Sequence, residues 1–140
     1  MIKRLHTKEE LLAGYNVMKE LRTHLTEVAF LEMYEKMEQE GYEIVGYYAE
    51  GKVVAVAGII FLTNFYDGYH MYVYDLVTQR DARSKGYGDK LLSFIEELAK
   101  EKGCSTITLS SGTQRTEAHR FYQEKMGYDK TSFVFKKSFS

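Results

Sequence analysis

The chain has 140 residues, 44% hydrophobic and 28% charged, with a net charge of −1. That length suits one domain, residues 1–140, whose core removes roughly 68–70% of the unfolded surface from water. The near-neutral balance argues against a strongly basic nucleic-acid-binding face, and no apolar run reaches the ~18 residues of a membrane span. The start MIKRLHTKEE turns polar too soon for a signal peptide, and the lone Cys104 has no partner for an internal disulfide. The expectation is therefore a cytoplasmic protein that binds neither nucleic acid nor membrane. His6, His24, His70 and His119 share no metal-ligand spacing, so no metal is expected.

In chain order, IKRL reads as a short strand. TKEE follows as a capping box, in which Thr7 can bond the amides of a helix and Glu10 can reach back to the cap. Leu11, Leu12, Tyr15 and Met18 then recur at helical spacing, and a second helix is expected from about Thr26 to Glu40, ended by Gly41. YEIVGYYAEGKVVAVAGIIFL reads as a hairpin turning at Glu50-Gly51. Its second arm, Val53 to Leu62, is so continuously apolar that both of its faces should be covered. After a turn at TNFYDG, Tyr69 to Thr78 is another strand rich in β-formers.

The stretch RDARSKGYGDKLL comes next, opening a helix with Leu91, Leu92, Ile95, Leu98 and Ala99 in one apolar stripe. The first amides of a helix lack internal partners and sit at the positive end of its dipole. Gly86 and Gly88 remove two Cβ atoms, so an anion can come close to the backbone, while Arg83 and Lys85 add positive charge. A phosphate or pyrophosphate site over Arg83, Ser84, Lys85, Gly86, Tyr87, Gly88 and Asp89 is expected; a solvated, charged loop is the other reading. The pattern G-x-x-x-x-G-K-[ST] is absent. The dinucleotide fingerprint fails too, because Leu91 stands where its third glycine belongs. STITLSS is a further strand, TEAHRFYQEKMG a last helix and TSFVFKK a final strand. The strand–helix–strand run from Tyr69 to Ser111 should make a right-handed parallel βαβ unit within an otherwise antiparallel sheet.

DLVTQRDARSKGYGDKLL resembles the acetyl-CoA-binding motif of the GNAT superfamily of N-acetyltransferases, and EAHRFYQEKMGY resembles the second motif of that family, in the same order along the chain. The resemblance implies an α/β (α+β) fold of the GNAT type: a mixed, mostly antiparallel sheet with one parallel βαβ unit and helices on both faces. It also implies acetyl transfer from acetyl-CoA, as co-substrate, to a primary amine by direct attack. Pantetheine would pair with main-chain groups of Leu76, Val77 and Thr78, and the pyrophosphate would rest on the amides of residues 83–89. The family tyrosine, general acid toward the departing sulfur, falls on Tyr122; packing in the core is its competing reading. The position of the family's strand glutamate falls on Tyr74, leaving Asp75 as the only carboxylate of that strand. Asp75 is either the base for the incoming ammonium or a strand carboxylate bonded to a nearby cation. Where the family often has asparagine this chain has Arg115, so Ser111 or Thr113 would supply the pantetheine contact, or Arg115 would meet a phosphate. The acceptor, a small-molecule amine or a peptide or protein amine, stays open, as does the homodimer common in the family. A non-catalytic acyl-CoA-binding or sensing module on the same fold is the alternative.

Overall fold

The computed structural model describes residues 1–139, which form two compact units, residues 1–108 and 109–139. The first holds strand β1 (Ile2–Leu5), helices α1 (Lys8–Met18) and α2 (Glu27–Gln39), and strands β2 (Glu43–Ala49), β3 (Lys52–Asn64) and β4 (Gly68–Thr78). A single 3₁₀ turn at Arg80–Ala82 leads to α3 (Tyr87–Glu101) and then β5 (Thr106–Leu109), whose last residue opens the second unit. The strands lie side by side in chain order, antiparallel from β1 to β4, with β5 parallel to β4.

Local chemistry explains these elements. Thr7 Oγ1 accepts from the Glu10 amide at 3.2 Å while Glu10 Oε1 accepts from the Thr7 amide at 3.1 Å, the reciprocal box that starts α1. Thr26 caps α2 in the same way. The β2–β3 hairpin turns through Glu50 (φ 52°) and Gly51 (φ 77°), the paired positive φ values whose twist matches the flanking strands. Residues 53–60 of β3 are buried throughout, as expected of a central strand. One face of the sheet meets α1 and α2 through Leu5, Leu11, Val17, Phe30, Ile44 and Val56. The α3 stripe, Leu91, Leu92, Ile95 and Ala99, is buried in turn, and α3 packs on β3 and β4.

In the second unit, α4 (Thr116–Arg120) passes into a wide π turn over Phe121–Lys125 that closes with a Met126 N–H···O=C Phe121 bond of 3.0 Å. The strand expected at TSFVFKK is not formed. Residues 128–139 have no regular structure, and Phe133, Val134 and Phe135 are exposed. Its β-forming residues supply propensity only; a strand exists through a partner for its main-chain groups, and among the described residues no strand pairs with the segment.

Candidate active site

The loop between β4 and α3 is shaped by two left-handed residues, Ser84 (φ 70°) and Gly86 (φ 81°). Gly86 is the N-cap of α3 and brings no capping side chain, so the first-turn amides have no acceptor within the helix. Nothing stands within 4 Å of where a Gly86 side chain would begin, which leaves the approach to those amides open. At Gly88 an added Cβ would meet Thr78 Oγ1 at 3.2 Å, so the start of α3 lies against the end of β4. Glu20, which the sequence did not single out, ties the loop down: it accepts from the Arg80 amide at 2.8 Å and pairs with Arg83 at 3.8 Å. Arg83 Nε also donates to Thr78 O at 3.2 Å. Arg83, Ser84 and Lys85 are exposed. An uncapped helix start bent by Ser84 and Gly86, with Arg83 and Lys85 beside it, has the chemistry of an anion site.

The main chain of β4 adds a second feature. The Gln79 amide donates to Val54 O at 2.8 Å. The pair two residues back, Val77 opposite Val56, is therefore also of the hydrogen-bonded kind. Leu76 and Thr78 consequently turn their N–H and C=O groups to the other edge of the strand. On that edge β5 begins beside Tyr69, where the Ser105 amide donates to Tyr69 O, and is only four residues long, whereas β4 runs on to Thr78. The outer edge at Leu76–Thr78 thus extends beyond the neighbouring strand. Of the three residues named from sequence for main-chain pairing, Leu76 and Thr78 face this edge, and Val77 faces β3.

Asp75 is 8% exposed and fully engaged. Tyr42 Oη donates to Oδ2 at 2.7 Å, and Arg22 Nε donates to Oδ1 at 2.9 Å while its terminal nitrogen reaches Tyr74 O at 2.8 Å. Burial, followed by the negative charge of Asp75, pushes the Tyr42 phenol well above its ordinary value. Strict alternation would send Tyr74 and Asp75 to opposite faces. Instead the register slips between Gly58 and Ile59, so that Gly58 opposes Asp75, Ile59 opposes Val73 and Tyr74 has no opposite residue. This bulge lets Tyr74 stack on the Tyr42 ring at 5.8 Å while Asp75 bonds the hydroxyl of the same residue. Gly58 makes room for the cluster, since a Cβ there would lie 1.9 Å from Tyr42 Oη. Arg22 and Tyr42 carry no local signal in the sequence; only the fold brings them to Asp75 across 53 and 33 positions.

In the second unit, Tyr122 is buried in the π turn, its ring against Phe121 and Tyr128 at 5.4 and 5.8 Å. Burial raises its phenol above the ordinary value, with Arg115 pulling the other way. Ser111 Oγ is buried with no hydrogen-bond partner among the described residues, an orphan that a polar ligand would satisfy. The residues named from sequence thus fall in two groups: Asp75 to Asp89 come together in the first unit, and Ser111 and Tyr122 belong to the second. Among the described residues no cluster of three or more metal-ligating side chains occurs, and no helix is long and apolar enough to cross a membrane.

The fold of this chain recurs in proteins of known structure. One such match is the aminoglycoside N-acetyltransferase AAC(6')-Iy solved with the bisubstrate analogue CoA-S-monomethyl-acetylneamine (TM-score 0.85, 16% identity, 100% of this chain and 97% of that one). Another is a protein from Bacillus halodurans C-125 described as a transcriptional regulator (TM-score 0.86, 23% identity, 99% of both chains). At these identities the likeness establishes the fold. The Acetyltransferase (GNAT) family profile matches residues 8–128, and an uncharacterized N-acetyltransferase of Bacillus subtilis strain 168, YhdJ, is 38% identical over 97% of this chain and 96% of its own length. The chain belongs to the GNAT acetyltransferase family.

Proposed function

We propose that the protein transfers an acetyl group from acetyl-CoA to the primary amine of a small molecule. The observation that carries this reading is the loop at residues 83–89, an uncapped helix start bent by Ser84 and Gly86 at the end of β4. Its amides, with Arg83 and Lys85, would hold the pyrophosphate, and the outward main chain of Leu76 and Thr78 would pair with pantetheine. The orphan hydroxyl of Ser111 supports the pantetheine contact inferred for it. The bisubstrate analogue bound by AAC(6')-Iy joins CoA to an amine and supports an amine of small-molecule size.

When bound, acetyl-CoA supplies an acetyl carbonyl already activated as a thioester. The attacking amine forms the new C–N bond as the C–S bond breaks, and two protons must move: one onto the departing sulfur and one off the nitrogen. Tyr122 is the proposed donor to sulfur. Its raised phenol keeps its proton through the neutral range, as an acid requires. Outward amides at Leu76 and Thr78 are suited to polarise the carbonyl oxygen. Asp75, singled out from sequence as a base, already accepts from Tyr42 and from the Arg22 guanidinium. Those partners favour its other reading, a buried anion that orders the strand bulge, and the nitrogen proton then leaves through water.

The test is calorimetry with CoA followed by release of free thiol from acetyl-CoA over a panel of small amines. Binding with turnover on at least one amine is expected. Binding without turnover on any amine gives the non-catalytic module, and no binding at all removes the whole reading.

A further inference from the structure

The connection between α1 and α2 grips the stretch that carries the anion loop at two places, all of them within the first unit. Arg22 bonds Asp75 and Tyr74 O on β4. Two residues earlier, Glu20 accepts from the Arg80 amide at 2.8 Å and faces the Arg83 guanidinium at 3.8 Å, its side chain only 24% exposed. Electrostatics disfavours a carboxylate there twice over. Glu20 follows the last turn of α1, which holds no basic residue, and the negative end of a helix repels it. It also stands beside the loop suited to an anion, where its charge opposes phosphate. A carboxylate standing against both effects is explained by what it touches. Arg80 opens the single turn in which the Ala82 amide donates to Gln79 O at 2.9 Å and the Arg83 amide to Arg80 O at 3.3 Å. The first amide of such a turn lacks a partner inside it, and here Glu20 is that partner. The turn directs the chain into residues 83–86, from which Arg83 Nε reaches back to Thr78 O.

We propose that Glu20 is a positioning residue for the cofactor: by holding the Arg80 amide it fixes the course of the loop, and so sets the affinity of residues 83–89 for the pyrophosphate of acetyl-CoA. This rests on the acetyl-CoA reading of that loop. The contrary view is that Glu20 acts on the ligand only through its charge, and the two predict opposite signs. If charge rules, Glu20→Gln and Glu20→Ala bind CoA more tightly than the parent, and Glu20→Asp does not. If the bond to Arg80 rules, Glu20→Gln keeps the accepting oxygen and binds as the parent does. Glu20→Ala then removes that oxygen, and Glu20→Asp, one methylene shorter, withdraws it, so both bind more weakly.

The test is calorimetry with CoA on the full chain and the three variants. Glu20→Ala and Glu20→Asp should bind about tenfold more weakly, the worth of one hydrogen bond to a charged group, and Glu20→Gln within about twofold of the parent. The KM for acetyl-CoA should follow the same order, while kcat and the KM for the amine move by less than about twofold. In the protein without CoA, hydrogen exchange at the Arg80, Ala82 and Arg83 amides should quicken in Glu20→Ala and Glu20→Asp and stay unchanged in Glu20→Gln. Tighter binding by Glu20→Gln or Glu20→Ala overturns the proposal. So does a Glu20→Gln as weak as Glu20→Ala, because the charge and not the bond to Arg80 would then decide. A parent that binds CoA alongside unaffected Ala and Asp variants removes this inference and leaves the acetyltransfer reading standing, whereas a parent that binds no CoA removes both. Should Glu20→Ala fail to fold, the contrast between Glu20→Asp and Glu20→Gln decides alone.

Discussion

Tyr122 and Asp75 are both buried ionisable side chains, and their surroundings assign them different work. Tyr122 lies among aromatic rings, and burial raises its phenol against the opposing charge of Arg115. Tyr122→Phe keeps the packing and removes the proton, so turnover should fall by roughly 10²–10⁴-fold while calorimetry shows CoA binding retained. Because the phenol is raised, loss of its proton should cut the rate only above the ordinary tyrosine value of 10.0, and a pH–rate profile that falls earlier would point to another group. Asp75 is held by two donors, one of them cationic. Arg22→Met leaves a buried carboxylate with one of its donors gone, at a cost of roughly 1–3 kcal/mol in denaturant unfolding. Asp75→Asn retains the size and a hydrogen-bonding oxygen. If Asp75 orders the bulge and takes no proton, this variant should lose less than tenfold in turnover; a loss as deep as that of Tyr122→Phe would restore it as the base.

The loop and its neighbouring elements differ in how far local sequence dictates them. Gly86 has φ 81° with no atom within 4 Å of an added Cβ, so Gly86→Ala meets only a conformational penalty, roughly 1–2 kcal/mol. If the loop straightens to escape it, the bend that exposes the first amides of α3 is lost. CoA affinity should then drop further than thermal stability, a split that calorimetry and melting read separately. This loop, the Thr7–Glu10 box and the Glu50-Gly51 turn were legible in the sequence because each is made by residues within a few positions of one another. The Tyr74 bulge was not, since it arises from the slip against Gly58 on another strand, and a period-2 reading cannot register an unopposed residue. The π turn at Phe121–Lys125 escaped for a similar reason: its extra residue leaves the apolar spacing helical while altering where Tyr122 points. The segment 131–137 shows the reverse failure, a strand pattern with no paired strand among the described residues.

At the scale of the whole molecule, titration bounds stability on two sides, and the signs can be worked out. On the acid side Glu10 is the marked case. The Lys3 ammonium, together with the His6 and Thr7 amides, lowers its carboxyl from 4.5 to about 2. A lowered group contributes above its unfolded value and loses that contribution as pH falls toward its folded one. The start of α1 should therefore loosen between about pH 4.5 and 2, visible as carboxyl and amide shifts by NMR. On the alkaline side Tyr34, Tyr42 and Tyr122 are all raised, each first by burial. The native state then holds these protons more tightly than the unfolded chain does. Their contribution is complete below the ordinary value of 10.0 and declines as pH rises past it. Tyr42 should dominate, because ionising it would place a second negative charge 2.7 Å from Asp75 in a buried site. Melting temperature should accordingly hold steady through neutral pH and drop steeply above about pH 10, with the drop flattened in Tyr42→Phe. That variant begins from a lower plateau, since Asp75 loses a donor. The measured quantity is the difference in slope between the two proteins, and equal slopes would show that the Tyr42–Asp75 contact does not carry the alkaline limit.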